Sequence, residues 1–261
     1  DPLPPVLDII IVLDFEWTAD DKRKMHPVAE ITQFPSVAMR LVNEKHETHH
    51  PMVTRHDLEA LAPYASHNLC RNDISHPVKD AYAMSLFDSF VKPTFNPTLT
   101  QFSIDLTGIT QKQVDASPTI SVVLQHYISW LVSLGLVDSC GNRVTAGSTW
   151  CFCTWGDVDI MTTLRLECKE KSIPLPNCFD RWINLKDDAV FKRHYGRRPS
   201  GGLQSVVDSV DGCQWEGRAH NGLIDSLNTA KIVQNMVRTG YRFTRSTRGL
   251  DRQGVPFGSN E

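Results

Sequence analysis

From Leu7 to Leu13 the chain is apolar at both odd and even positions, with only Asp8 breaking the run. A short β-branched stretch with no polar face predicts a central strand covered on two sides. A second strand is predicted from Phe34 to Val42. From Asn43 to Ala83 the periodicity fails, and the stretch carries six His (46, 49, 50, 56, 67 and 76), several Pro and Asn, and room for one short helix near Asp57 to Leu61. It reads as an insertion in a surface connection. Ser85 to Val91 alternates as a strand does, and Lys92-Pro93 stops it. From Thr119 to Leu136 the residues Ile120, Val123, Leu124, Tyr127, Ile128, Leu131 and Leu134 recur at helical spacing after the start signal Ser117-Pro118, which predicts a core-facing helix. A strand at Thr149 to Cys153 and a helix at Val158 to Cys168 follow. Short elements come near Trp182, Val190 and Leu203 to Val207, and a last helix runs from about Asn221 to Val237. Strands leading and helices following in alternation predict an α/β fold with a mixed central sheet. The pattern gives one domain over residues 1–240, carrying the insertion at 43–84, and a separate tail at 241–261.

Composition narrows the class. The 261 residues are 41% hydrophobic and 22% charged, inside the globular range and outside the collagen-like, coiled-coil and disordered ranges. The apolar run at Val6 to Leu13 is far too short to span a bilayer, and no charged region precedes it, so the sequence points to neither membrane insertion nor secretion. Seven Cys, without a CxxC pair or a His partner at finger spacing, predict reduced thiols and an intracellular protein. The His-rich insertion likewise matches no zinc pattern. The net charge of −3 excludes a uniformly basic nucleic-acid coat but leaves room for a local basic patch. From Arg238 to Arg252 there are five Arg (238, 242, 245, 248 and 252) against the single acid Asp251, which makes the tail basic.

The candidate chemistry lies in carboxylates. Asp14 and Glu16 directly follow the buried strand, and positions i and i+2 of a strand project from one face. Two carboxylates meeting at a strand end are costly unless divalent cations neutralise them; the plainer reading is the polar end of a strand. His220 and Asp225 lie five residues apart, about 140° around a helix, and share a site only if His220 sits on the loop before it. There a loop histidine suits a general base beside a fixed metal ligand, while a surface His and Asp are the ordinary alternative. Trp155-Gly156-Asp157-Val158-Asp159 offers a third acid. A capping role accounts fully for Asp157, which makes Asp159 the preferred ligand with the choice close to even.

Together, Asp14-Phe15-Glu16, the Gly-Asp-Val-Asp segment and His220 before Asp225 resemble the DEDDh exonucleases of the DnaQ-like superfamily. Phe90-Val91-Lys92-Pro93, Leu106-Thr107-Gly108-Ile109-Thr110-Gln111 and Glu216-Gly217-Arg218-Ala219-His220-Asn221-Gly222 are similar to the branch of enhanced-RNAi and histone-mRNA 3′ exoribonucleases. The resemblance implies an RNase H-like fold with a five-stranded mixed sheet. It implies 3′-to-5′ hydrolysis to nucleoside 5′-monophosphates, with Asp14, Glu16, Asp159 and Asp225 holding two Mg²⁺ or Mn²⁺ ions and His220 deprotonating the attacking water. Two departures stand out: Val158 occupies a position usually held by Trp in this branch, and Trp17 one commonly small.

The same resemblance makes Phe15, Trp17, Thr107, Gly108 and Arg218 candidate substrate contacts. Trp17 either lines the terminal-nucleotide pocket or packs under the insertion. Thr107 and Gly108 either touch the terminal sugar or form a plain turn, with Asp105 assigned to that turn. Arg218 meets phosphate or salt-bridges an acid of the site. Lys192, Arg193, Arg197 and Arg198 either follow a nucleic-acid strand or form a solvated helix end. The expected partner is single-stranded RNA at its 3′ end. A DNA exonuclease on the same fold and a non-catalytic RNA-binding adaptor are the alternatives.

Overall fold

Strand β1 (Ile9–Leu13) is wholly buried, and its two faces serve two separate cores. Ile9, Ile11 and Leu13 join one apolar cluster, while Ile10 and Val12 join the other. This is the two-sided burial that an unalternating apolar run encodes. The computed structural model describes residues 6–41 and 81–250, and the backbone of 256–258.

Around β1 the chain builds a mixed sheet. β2 (Glu16–Trp17) and β4 (Ala81–Phe90) both pair with the long β3 (Ile31–Leu41), which runs antiparallel to β1. On the other side β5 (Trp150–Thr154) and β6 (Arg181–Asn184) continue the sheet in parallel. β7 (Arg248–Leu250) and β8 (Pro256–Gly258) close that edge antiparallel. The predicted mixed sheet is present, with β4-β3-β1-β5-β6 as the expected five strands. The count is eight among the described residues, because β2, β7 and β8 extend it.

Two of the extensions correct the sequence reading. β3 begins at Ile31 and β4 at Ala81, and Leu41 pairs with Ala81. β3 and β4 are therefore antiparallel neighbours, and β4 includes residues 81–84, assigned above to the insertion; residues 42–80 lie outside the described residues. The basic tail is also not separate from Gly240 onward. Arg248 pairs across from Trp182, and its guanidinium meets Asp157 at 3.2 Å and also Asp187. Carboxylates facing the chain hold this Arg in the sheet, and a charge count cannot see them.

Helices cover both faces. α1 (Gln101–Thr107) and α2 (Gln111–Asp115) precede α3 (Ile120–Ser133), whose Val123, Leu124, Tyr127, Trp130 and Leu131 pack on Ile11, Phe34 and Phe152. A π-helical segment (Val158–Leu164) runs into α4 (Arg165–Glu170) on the same side, where one regular helix was predicted. After the single turn α5 (Arg193–Tyr195), α6 (Leu203–Asp208) and α7 (Gly222–Arg238) cover the opposite face, where Leu227, Ala230 and Val233 meet Val12, Val37 and Cys153. Each fully buried aliphatic side chain contributes about 1.5–3 kcal/mol.

The basic cluster is occupied by local partners. Arg198 and Lys192 pair with Asp188 at 2.6 and 3.6 Å, and Arg197 donates to Ser209. Six cysteines of the described residues are free thiols; burial pushes that of Cys151 up to about 12. Among the described residues no helix is long and apolar enough to cross a membrane.

Candidate active site

The site forms where β1 ends, β2 begins, β5 gives way to the π-helical segment, and α7 starts. Asp14 follows the last residue of β1, and the chain bends through Phe15 so that Glu16 opens β2 opposite Gln33 of β3. The bend is pinned from β5's side: the Phe15 N–H donates to Asp159 Oδ1 at 2.8 Å. Asp157, two residues earlier, faces elsewhere. It accepts from the indole Nε1 of Trp182 at 2.9 Å and from Arg248, and its side chain caps no helix. The structure thus brings Asp159 to the other carboxylates and holds Asp157 in the sheet edge, by contacts other than the predicted cap.

α7 delivers the remaining pair. Asn221 caps it by accepting the Ile224 N–H, and His220 stands just before with φ 59, a left-handed conformation uncommon for a residue with a side chain. That geometry puts His220 on the loop, as sharing a site with Asp225 requires. Its N–H donates to Asp225 Oδ2 at 3.1 Å. Ligand atoms of Glu16, His220 and Asp225 all lie within 4.8 Å of one another. The close approach of α7 to β1 depends on Gly222: a Cβ there would lie 2.6 Å from the Asp14 carbonyl oxygen and 2.9 Å from Pro35 Cγ.

Charge is the dominant feature of this cluster. Glu16, Asp159 and Asp225 are only 8%, 5% and 7% exposed. Burial raises the Asp14 carboxyl well above its ordinary range, and the charges of Asp159, Asp225 and Glu16 add to it. Burial with the Asp225 and Asp159 charges lifts Glu16 to about 8. Asp159 is pushed up to about 7 by burial, against the Phe15 N–H that favours its anion. Asp225 rises to about 7 from burial, opposed by the His220 N–H and reinforced by Asp159. Lys186, which sequence reading did not single out, is a cation that lowers both Asp14 and Asp159. Asp225 Oδ1 is buried without a hydrogen-bond partner. Four buried or partly buried carboxylates, one of their oxygens without a hydrogen-bond partner, are a hard oxygen donor set that divalent cations fit, with an imidazole beside it.

The candidate substrate contacts divide. Phe15 is 1% exposed with its ring 4.3 Å from Phe34, so its side chain is core and only its backbone reaches the site. Trp17 is half-buried against the apolar cluster of the α3 face, across from Ile31. Thr107 ends α1 rather than lying in a loop. Its buried hydroxyl donates to the Ser103 carbonyl and accepts the Ile109 N–H. Gly108 is the left-handed C-cap of α1, donating to the Ile104 carbonyl at 2.8 Å. A Cβ there would overlap the guanidinium of Arg218. Arg218 is exposed, donates to the Asp105 carbonyl at 2.6 Å and draws the Glu16 carboxyl down. Asp105 itself lies within α1, where it accepts from Gln101. Gln33 was not singled out in the sequence, and Gly222 stood only as the last residue of a matching motif; the Gly222 N–H donates to Gln33 Oε1 at 3.0 Å.

Fold and site together define a DEDDh-type nuclease domain, and the comparisons agree. The exonuclease family RNase_T matches residues 78–233, and the chain belongs to it. That match includes Asp159, His220 and Asp225 but stops short of Asp14 and Glu16. Within the family the chain is similar to ERI1 exoribonuclease 2. It is 39% identical to the Danio rerio protein over 163 residues (60% of this chain, 28% of that protein), and 30% identical to the Homo sapiens protein over 250 residues (92% and 30%). The chain spans less than a third of the length of these curated relatives. Among solved structures it resembles the nuclease domain of 3′hExo, a DEDDh family member bound to rAMP, at 25% identity. The TM-score is 0.69, with 94% of this chain and 98% of that one covered.

Proposed function

We propose that this chain is a metal-dependent 3′-to-5′ exoribonuclease that shortens single-stranded RNA or 3′ overhangs to nucleoside 5′-monophosphates. The observation that carries the reading is the convergence of four shielded, mutually repelling carboxylates with a loop histidine at the start of α7. Relatives named exoribonucleases support RNA as the substrate.

In this reading Asp14, Glu16, Asp159 and Asp225 hold two divalent cations, Mg²⁺ or Mn²⁺. Bound there, the cations supply charge that stabilises the attacking and leaving oxygens of an in-line phosphoryl displacement. His220, exposed on its loop, takes a proton from the attacking water. The water oxygen bonds to phosphorus, the bond to the preceding nucleotide's 3′ oxygen breaks, and that oxygen leaves with a solvent proton. Arg218, lying across Gly108, offers a guanidinium to a phosphate. The backbone around Thr107 and Gly108 borders the terminal sugar, and Trp17 presents a ring face to the terminal base.

The test uses RNA and DNA labelled at either end, incubated with Mn²⁺, Mg²⁺ or EDTA. Metal-dependent release of 5′-monophosphates from the RNA 3′ end is expected, and His220→Asn lowers kcat by about 10²- to 10⁴-fold. Preference for DNA would move the reading to a DNA exonuclease. Wild-type protein that binds RNA without shortening it in either metal would leave the adaptor.

A further inference from the structure

Gln33 of β3 lies where separate parts of the site meet. It is 1% exposed and stands directly across from Glu16 in the β2/β3 pairing. Its Oε1 accepts the Gly222 N–H at 3.0 Å, and its Nε2 donates to Asp88 Oδ1 on β4 at 3.0 Å. Asp88 pairs with Pro35, the residue against which Gly222 closes.

The Gly222 N–H belongs to the first turn of α7 and has no acceptor inside its own helix. Gln33 supplies one from the sheet. A glutamine amide satisfies a donor only when its oxygen faces it, and its two ends are nearly identical in shape. Burial lifts the Asp88 carboxyl to about 7, and above that pH it removes the ambiguity: a carboxylate only accepts, so the NH₂ end of Gln33 turns to Asp88 and the carbonyl end to Gly222. The arrangement is not the cheapest packing for this place. Asp88 Oδ2 is buried with no hydrogen-bond partner, a cost that an apolar pair of similar volume would avoid. What the polar pair achieves is a fixed start for α7, two residues after His220 and three before Asp225.

We propose that Asp88 and Gln33 are positioning residues for the nuclease reaction: through the Gly222 N–H they set His220 and Asp225 against Asp14 and Glu16. The inference rests on the reading of those four residues as the active site.

Three variants test it, each with its melting midpoint measured alongside. Gln33→Met keeps the length and removes the acceptor. In the metal-free protein, hydrogen exchange at residues 220–223 accelerates by about three- to tenfold while β1 and α3 keep their protection. On short single-stranded RNA with Mn²⁺, kcat falls by about 10- to 100-fold with KM changed less than about twofold. Assayed at about pH 9, above the range in which burial lets Asp88 hold a proton, Gln33→Glu sets two carboxylates against each other and behaves similarly. Adding Asp88→Asn lets an amide at position 88 donate to the new carboxylate, whose other oxygen accepts from Gly222, and kcat returns to within about threefold of wild type. A general loss of packing would spread exchange through the sheet and would not be restored by the second substitution. Unchanged exchange at 220–223 and unchanged kcat in Gln33→Met, or a double variant no better than Gln33→Glu at equal stability, overturns the proposal alone. A wild-type protein without nuclease activity overturns the site reading, and the proposal with it.

Discussion

Replacing Asp225 with Asn should stabilise the metal-free protein while abolishing its chemistry. Asp225 is 7% exposed, and burial with the Asp159 charge lifts its carboxyl to about 7 from an ordinary 3.8. In the unfolded chain that carboxyl titrates near its ordinary value, so the folded state binds the proton more tightly. The linked stability is fully present below the unfolded pKa and is lost as pH rises through the folded one. At pH 8 the wild-type site therefore holds a charge that disfavours folding by about 2–4 kcal/mol, at roughly 1.4 kcal/mol per pKa unit. Asn keeps an oxygen for the His220 N–H and puts an NH₂ toward the neighbouring carboxylates, where Asp225 leaves Oδ1 without a partner. In EDTA at pH 8 the variant should melt about 5–10 °C above wild type, on the scale of 2–4 °C per kcal/mol for a chain of this size. At pH 4 the gap should close. Excess Mn²⁺ should raise the wild-type midpoint through a stabilisation of about 2.7 kcal/mol at a hundred times the dissociation constant, and the variant's by less. Scanning calorimetry across pH 4 to 8, with and without metal, reads all three. A variant that melts no higher than wild type in EDTA at pH 8, or a gap equal at pH 4 and pH 8, would refute the claim that uncompensated charge dominates this site.

Asp159→Asn should abolish RNA hydrolysis in Mg²⁺ and leave the fold intact by circular dichroism. Asp157→Asn should remain within about threefold of wild-type kcat and lose about 1–2 kcal/mol in urea unfolding as its bond to Arg248 weakens. The reverse pattern would exchange their roles. Gly222→Ala puts a methyl 2.6 Å from the Asp14 carbonyl oxygen. It should cost about 1–3 kcal/mol of stability and lower kcat more than tenfold, both read on purified protein. Trp17→Ala should raise KM for single-stranded RNA by about tenfold through loss of a stacking face; an unchanged KM and strand affinity leave Trp17 a packing residue.

How much was legible in the sequence follows from the range of the interactions involved. The unbroken apolar run of β1 and the helical spacing of α3 report which faces are covered, and both elements lie close to where the pattern puts them. Asp14, Glu16, His220 and Asp225 could be read because a local feature marks each: the end of a strand, alternation, or the step from loop to helix. The errors over Asp157, Arg248 and Phe15 are contacts across the sequence. Asp157 is 25 residues from the indole and 91 from the Arg that hold it, so position alone suggested a cap. Arg248 looked like part of a tail because its carboxylate partners are equally remote. Phe15 shared a motif with two acids, yet alternation sends its ring to Phe34, opposite to the carboxylates on either side.

The same distinction bears on charge. A net −3 appeared to weigh against a polyanionic partner, but the total does not describe what a substrate meets. The described Arg198, Lys192 and Arg248 are each bonded to an acid, and the carboxylates of the site are shielded from solvent. Arg218 and Lys186 remain exposed at its rim, one acting on Glu16 and the other on Asp14 and Asp159. With two divalent cations in place, the formal −4 of the four acids is balanced, and these two side chains leave the mouth of the site positive. On the proposed reading, attraction of an RNA end depends on a filled metal site more than on the paired basic side chains among the described residues. RNA affinity measured at fixed ionic strength should accordingly rise with Mn²⁺ and fall in EDTA.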